Sequence, residues 1–457
     1  MAKEEKLNNK LLKSERMFSN KFLLKLLMPL FVEQIFMFAI GVADSIMVSV
    51  AGESAVSAVS LVDQIMMLII ATMAALSTGG AVVIGQYLGQ KKKKMTVRAA
   101  DQLMLAALLL ALAITALLYI LKDILLPLIF GNIEKEVMDY CNTYYMITVA
   151  SVPFIAVYNA GSAMFRSVGN SKISMIICGG MNLINIPGNY ILLHIVHMQV
   201  AGVAIPTLIA RVAAAIAVYV CLRNQALEVH LSKKFVYIPN IRLIKQILRI
   251  GIPNGVENGM FQLGKLMLLS FISSMGTASI TANAVSNTIA SIAIIPGMTI
   301  GLGVVAVISR CVGAGDYRQV TYYIKKLILW AYIVMGVTNG IGILIIPFMM
   351  NVYGLSPETA HLATVVLLIN FISSIAIWPI SFTFPNALRA SGDVMYTMIV
   401  GVGSMWLFRI IGSILLAKFM GLGLVGIWIG MVIDWIVRSI CFIIRYCSGK
   451  WKHGAIK

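Results

Sequence analysis

The sequence predicts an all-α integral membrane protein, with twelve transmembrane helices in two six-helix lobes related by a pseudo-two-fold axis along the membrane normal. Three observations lead there. The 457 residues are 60% hydrophobic and only 12% charged, about half the ~25% charged content of soluble domains. Apolar runs repeatedly reach the ~20 residues that cross a ~30 Å hydrocarbon layer, which excludes secreted, cytosolic and disordered chains together. The second half also repeats the first at an offset of 224 residues.

Residues 1–21 are polar and carry acids, so they are neither a secretory signal nor an acid-poor transit peptide. They read as a cytoplasmic tail, and the first span as an uncleaved anchor. Apolar runs between charged or Gly/Pro breaks place spans at about 22–50, 54–88, 96–121, 134–164, 171–193 and 199–222. Those of the second lobe lie at about 242–273, 279–309, 319–347, 357–387, 394–418 and 424–446. The N-lobe is thus 22–222 and the C-lobe 242–446. A polar linker, 223–241, joins them, and 447–457 forms a C-terminal tail.

The formal charge of +18 would suggest a nucleic-acid partner in a soluble protein. Here it reports orientation. With the N-terminus inside, about 29 of the 36 Lys and Arg fall on the cytoplasmic side, against Lys122, Lys135 and Lys418 outside. That asymmetry places both termini in the cytoplasm of a plasma (inner) membrane, with no nucleic-acid partner.

The repeat sets Pro29 on Pro253, Glu33 on Glu257, Gly52 on Gly276 and Gly89 on Gly313; at 223, Arg166-Ser-Val-Gly-Asn matches Arg389-Ala-Ser-Gly-Asp. Six spans per half is an even number, so both halves enter the bilayer from the same side. Two such lobes facing a central cleft suit a rocking transporter.

An ionisable group inside a span costs at least ~2.5 kcal/mol on insertion scales and needs a partner or a watery cavity. The acids are Glu33, Asp44, Asp63, Glu257 and Asp434; the bases are Arg211, Lys265, Arg409 and Arg438. Glu33 and Asp44 are eleven residues apart, which puts them within about 20° on one helix face, and Pro29 loosens the helix just before them. Asp44 is the candidate for binding Na⁺ or H⁺. Asn182, Asn185 and Asn189, on one face of the fifth span, could supply amide groups, with Thr207 a hydroxyl and the Pro187-Gly188 bend free carbonyls. Interhelical packing is the competing reading of these amides. In the C-lobe, Lys265, Arg409, Asp434 and Arg438 read as an ionic network, with Asp434 paired to Arg438 or Arg409. Glu257 is left over as the acid to meet substrate, with Glu33 at the equivalent repeat position. Two acids in the cleft would favour small organic cations, and Met37 and Met260 could give its wall pliability.

Other signals are weaker. Gly259 to Lys265 matches GxxxxGK, but Leu266 replaces the Ser/Thr and the segment is apolar. The six cysteines lack metal or disulfide spacing. His194 and His197 have no further ligands nearby, so no metal is expected beyond a Na⁺ at Asp44, and no cofactor.

The stretches PLFVEQIFMFAIGVADSIMVSVAGESAVSAVSLVDQI, GGAVVIGQYLG, FRSVGNSK, NLINIPGNYILL and VAGVAIPTLIAR resemble the multidrug and toxin extrusion (MATE) transporters, and IGIPNGVENGMFQLGK, CVGAGDYRQ and LRASGDV repeat the pattern in the second half. The resemblance implies two six-helix lobes, a cleft open alternately to each side, and export of organic cations against Na⁺ or H⁺. By position the family's first-span Asp is Asp44, its fifth-span Asn is Asn185 and its sixth-span Thr is Thr207. Two departures stand out: Asn189 occupies the place of a second Asp, and Phe261 that of a seventh-span Glu found in one branch.

The expected activity is therefore a monomeric cation-coupled antiporter, not an enzyme. A flippase of a lipid-linked precursor, with a related fold, is the alternative within transport, and a passive channel fits two bent lobes less well. A membrane-embedded enzyme would need a His, Ser or metal constellation at membrane depth, where none of the five His lies.

Overall fold

A computed structural model describes residues 15–131, 133–233 and 238–454. Residues 1–14 of the expected tail, 132, 234–237 of the expected linker and 455–457 lie outside the described residues.

The first half comprises α1 (Asn20–Val48), α2 (Glu53–Gly89), α3 (Lys93–Ile120), α4 (Lys122–Phe130), α5 (Lys135–Ala150), α6 (Val152–Val168), α7 (Ser171–Tyr190) and α8 (Ala201–Leu222). The second comprises α9 (Ile241–Ser273), α10 (Thr277–Ala293), α11 (Ile295–Gly313), α12 (Tyr317–Tyr353), α13 (Pro357–Ala376), α14 (Pro385–Ala390), α15 (Val394–Ser404), the short α16 (Gly412–Ile414) and α17 (Gly423–Cys447). Among the described residues, ten helical segments are long and apolar enough to cross a bilayer, and eleven if α5 and α6, bent by 42°, form one span. The expected seventh span, α9, is 33 residues long, but Arg242, Lys245, Arg249, Glu257 and Lys265 lower its apolar character.

Several expected spans are interrupted, each at a sequence feature. Pro153 sits in the first turn of α6 and Pro296 in that of α11, positions where a missing N–H costs nothing. π-helical turns occupy Ile191–Ile195, Pro379–Thr383, Met405–Ile411 and Leu415–Phe419. Outward faces stay apolar, as Leu183, Ile120 and Leu344 illustrate, each more than three-quarters exposed. The most enclosed spans are the repeat-related α2 and α11, with 61% and 78% of their most apolar stretch buried.

Two compact units form, Leu24–Gly255 and Val256 onward together with the segment up to Leu23. Their boundaries fall inside α1 and α9, not in the polar stretch 223–241. In the first unit, Gly79 of α2 and Gly251 of α9 permit close contact: a Cβ on Gly79 would lie 2.8 Å from the Gly251 nitrogen. The described part of the stretch after α8 is tied to α3 by the Asp101 side chain, which accepts from the Ser232 backbone and hydroxyl, and by Gln102, which accepts from the Asn240 amide at 2.7 Å. In the second unit, the backbone at Phe18 and Met17 is held by Tyr323 and Gln319 of α12 at 2.7 and 2.9 Å.

The repeat extends to single backbone dihedrals. Gly52 and Gly276 share φ of 98° and 93°, and Gly169 and Gly392 share 84° and 91°. Lys91, His197 and Gln199, left-handed residues that are not glycine, align at 224 with Gly315, Gly421 and Gly423, also left-handed. The same turn is made with and without a side chain, so its geometry is imposed by the flanking helices rather than by glycine's freedom. The offset passes from 223 at Gly392 to 224 at Gly421. Over this stretch the second half has two π turns, Met405–Ile411 and Leu415–Phe419, where the first has only Ile191–Ile195. One π turn accommodates one extra residue.

A Cβ at Gly392 would meet the Gly454 carbonyl oxygen at 2.0 Å, at a φ of +91°. Gly392→Ala is expected to lower Tm in detergent by the equivalent of at least ~1–2 kcal/mol. Gly403→Ala, in a helix with nothing within 4 Å, should leave Tm unchanged or raise it.

Candidate functional site

In the Leu24–Gly255 unit, α1, α7 and α8 bring the candidate coupling residues together. Asp44 is 9% exposed, and Asn185, Asn189 and Thr207 are also buried. The Asn189 amide donates to Asp44 Oδ1 at 2.6 Å, and more weakly to Asn185 Oδ1 at 3.4 Å. Asn185 in turn donates to the Thr207 hydroxyl at 2.9 Å, whose own proton goes to the Val203 carbonyl. Using its NH₂ on Asp44 leaves Asn189 Oδ1 buried without a hydrogen-bond partner. A carboxylate, two amide oxygens and a hydroxyl thus form a connected oxygen-rich chain, the donor chemistry that hard cations prefer.

Asp63 and Arg211 adjoin this chain. Tyr144 donates to Asp63 at 3.1 Å, Arg211 donates to Ser151 at the α5–α6 break at 2.7 Å, and Arg211 lies within electrostatic range of both Asp63 and Asp44. Among the described residues no three His, Cys, Asp or Glu side chains gather as metal ligands.

Glu33 and Glu257, the candidate substrate-cleft acids, are each paired with an arginine. Glu33 Oε1 lies 3.6 Å from Arg166 and accepts from Tyr158 at 3.1 Å, while Oε2 accepts from Ser174 at 2.8 Å. Glu257 Oε1 binds Arg389 at 2.7 Å, with Gly401 leaving room, since a Cβ there would lie 2.6 Å from that oxygen. Glu257, expected as the C-lobe acid to meet substrate, therefore has Arg389 as its partner in this structure. The repeat had already aligned both partners of each pair. Arg166 and Arg389 had been counted with the loop bases, yet they occupy the last turns of α6 and α14. Met37 and Met260 are half-buried beside these positions in sequence.

In the other unit, Asp434 is fully buried and meets Arg438 at 3.0 Å and Arg409 at 4.0 Å. Arg438 also donates to Ser404 and to the Gly401 carbonyl. Lys265 has no carboxylate partner among the described residues; its ammonium stands 5.1 Å from the Phe261 ring centroid.

With this geometry in place, the sequence model of the MatE family matches residues 29–191 and again 253–415, two stretches displaced by the same 224 residues as the internal repeat. The chain belongs to the MATE family. Its relatives include YisQ of Bacillus subtilis, an uncharacterized transporter 29% identical over 438 residues and 94% of both chains. A probable multidrug resistance protein NorM of Thermotoga maritima is 27% identical over 442 residues, 95% of this chain and 94% of its own. A crystal structure of MATE in the bent conformation superposes with a TM-score of 0.86 at 19% identity, covering 94% of this chain and 96% of the other. MATE proteins are transporters, not enzymes, and the fold is all-helical and membrane-spanning.

For this MATE protein, sequence reasoning gathered Asp44, Asn185, Asn189 and Thr207 but missed Asp63, Tyr144 and Arg211 as a set. A signal was available: Arg211 is the one base in the middle of an N-lobe span rather than at its end, and a buried base seeks an acid. The Glu–Arg pairs give a direct test. Arg389→Met would strand Glu257 and cost ~3–5 kcal/mol, read as a lower Tm. Adding Glu257→Gln should recover most of that loss in a double-mutant cycle.

Proposed function

We propose that the chain is a secondary active drug exporter coupled to Na⁺ or H⁺ at Asp44. One observation carries this: a buried carboxylate whose amide donor, Asn189, is left with an unpartnered oxygen beside it. A cation entering there gains oxygen ligands, while a proton instead neutralises Asp44. Either event removes an uncompensated charge from the N-lobe interior and so favours a different packing of α1 against α7 and α8. Coupling requires that cation and drug stabilise different states, each by its own differential affinity. The Thermotoga maritima relative named as a probable multidrug resistance protein supports drug export.

With Asn189 in place of a second carboxylate, the coupling charge rests on Asp44. The class of organic cations was argued from Glu33 and Glu257; with Arg166 and Arg389 against them, that argument loses its charge, and the proposal is kept to small amphipathic drugs. We place both termini in the cytoplasm of an inner membrane on the distribution of bases, the two halves acting by alternating access in a single-copy unit with the 223–241 stretch between them.

The test is drug efflux from proteoliposomes under an imposed Na⁺ gradient and, separately, an imposed pH gradient. Asp44→Asn should abolish the gradient-driven part in whichever arm wild type responds, while keeping wild-type Tm within a few degrees. Gradient-driven efflux equal to wild type in the variant would remove Asp44 from the coupling role.

A further inference from the structure

The second unit holds a cavity of about 170 Å³, lined by Lys265, Leu268 and Ile272 of α9, Asn283 and Asn287 of α10, Arg409, and Trp428 and Met431 of α17. At the repeat offset of 224, this is the counterpart of the Asp44 site with its charge inverted. Leu268 stands where Asp44 stands, Asn287 where Asp63 stands, and Met431 where Thr207 stands. Both intramembrane acids of the N-lobe site are gone. Arg409 is carried by Met405–Ile411, a π turn whose counterpart at the 224 offset, 181–187, is ordinary α-helix, and such turns are frequent at functional sites.

The charge balance is unusual for a membrane interior. Lys265, Arg409 and Arg438 stand 5.1, 5.0 and 5.7 Å from the centroid of one ring, Phe261, and Asp434 is the one carboxylate paired within this group among the described residues. Ring faces compensate a cation only in part, so the four charged groups retain an excess of two positive charges. Arg409 Nε is buried without a hydrogen-bond partner. Trp428 Nε1–H, which can only donate, donates to Asn283 Oδ1 at 3.2 Å, which leaves the Asn283 amide with its NH₂ free to donate. The cavity lining therefore offers an ammonium, a guanidinium and an amide donor. It also includes Leu268, Ile272, Trp428 and Met431, which belong to the apolar core of this unit.

We propose that this C-lobe cavity binds the anionic group of a small amphiphile, a carboxylate or phosphate held by Lys265 and Arg409 with its apolar body against Trp428. Bound anion supplies the negative charge that the lobe lacks, and charge-assisted hydrogen bonds to it are the strong kind. The inference extends the transport reading by giving the exporter's C-lobe a ligand class opposite in sign to the cation at Asp44. Its test is a binding measurement that needs no gradient, so it stands or falls separately from the coupling role of Asp44.

The experiment is isothermal titration of the full-length protein in a neutral detergent with 1-naphthoate, neutral 1-naphthalenemethanol and cationic 1-naphthylmethylammonium. Naphthoate should bind saturably and in preference to both isosteres. Lys265→Met should weaken it by at least about tenfold, and Lys265→Arg should retain it within a few-fold. Repeating the titration in phosphatidylcholine discs with and without phosphatidylglycerol identifies the source of the anion. Competition by phosphatidylglycerol that is lost in Lys265→Met assigns the site to a lipid headgroup, and its absence assigns it to a soluble organic anion; both support the proposal. No saturable naphthoate binding, equal binding of the cationic isostere, unchanged affinity in Lys265→Met, or loss in Lys265→Arg as severe as in Lys265→Met would each overturn it.

Discussion

The cost of holding charge inside a membrane-spanning segment, and the pairing that answers it within each half, organise much of this molecule. Glu33 is met by Arg166 and Glu257 by Arg389, in each case joining the first helix of a half to the end of its fourth span. Those helices carry a proline a few residues before the acid, Pro29 and Pro253, so they are bendable near the point where the ion pair fastens them. A carboxylate that also accepts from a tyrosine and a serine, as Glu33 does, has its lone pairs largely satisfied and little reason to leave. The second pair is less fully satisfied, since Glu257 Oε2 and Arg389 Nε are buried without a hydrogen-bond partner, and Asp44 and Lys265 lie further along the same helices.

The side chains there differ between the halves although their backbones share several turns. Gly52 and Gly276, or His197 and Gly421, trace the same turns. The side chains placed on this shared frame are acid, amide and hydroxyl in one half, and ammonium, guanidinium and indole in the other. A transporter built this way has two interiors of opposite electrical character on one scaffold. Differences of sign, rather than of shape, then separate what each half can hold.

Much of this was readable from the sequence because the repeat carries its own alignment. The offset of 224 paired Glu33 with Glu257, the SVGN and ASGD motifs gave Arg166 and Arg389, and the fifth-span amides fell on one face by spacing alone. What stayed hidden was contact across sequence distance. Arg389 sits at a span end where a hydropathy reading assigns it to a loop, whereas the helix geometry turns it inward to Glu257. The broken spans were also obscure, since hydropathy runs straight through Ser151 and Ile294, and only the prolines beside them hint at a bend. The π turn that carries Arg409 leaves no periodicity signal beyond a one-residue change of offset, visible once the second half is laid on the first.

The contact between Phe18 and Tyr323 bears on how the protein is made. It spans 305 positions of sequence, so the residues that begin α1 emerge from the ribosome long before α12 exists to receive them. Such nonlocal contacts are slow to form and leave their partners open in the meantime. The second unit therefore cannot close until α12 has been made, and the residues leading into α1 wait about 300 positions of synthesis for this neighbour.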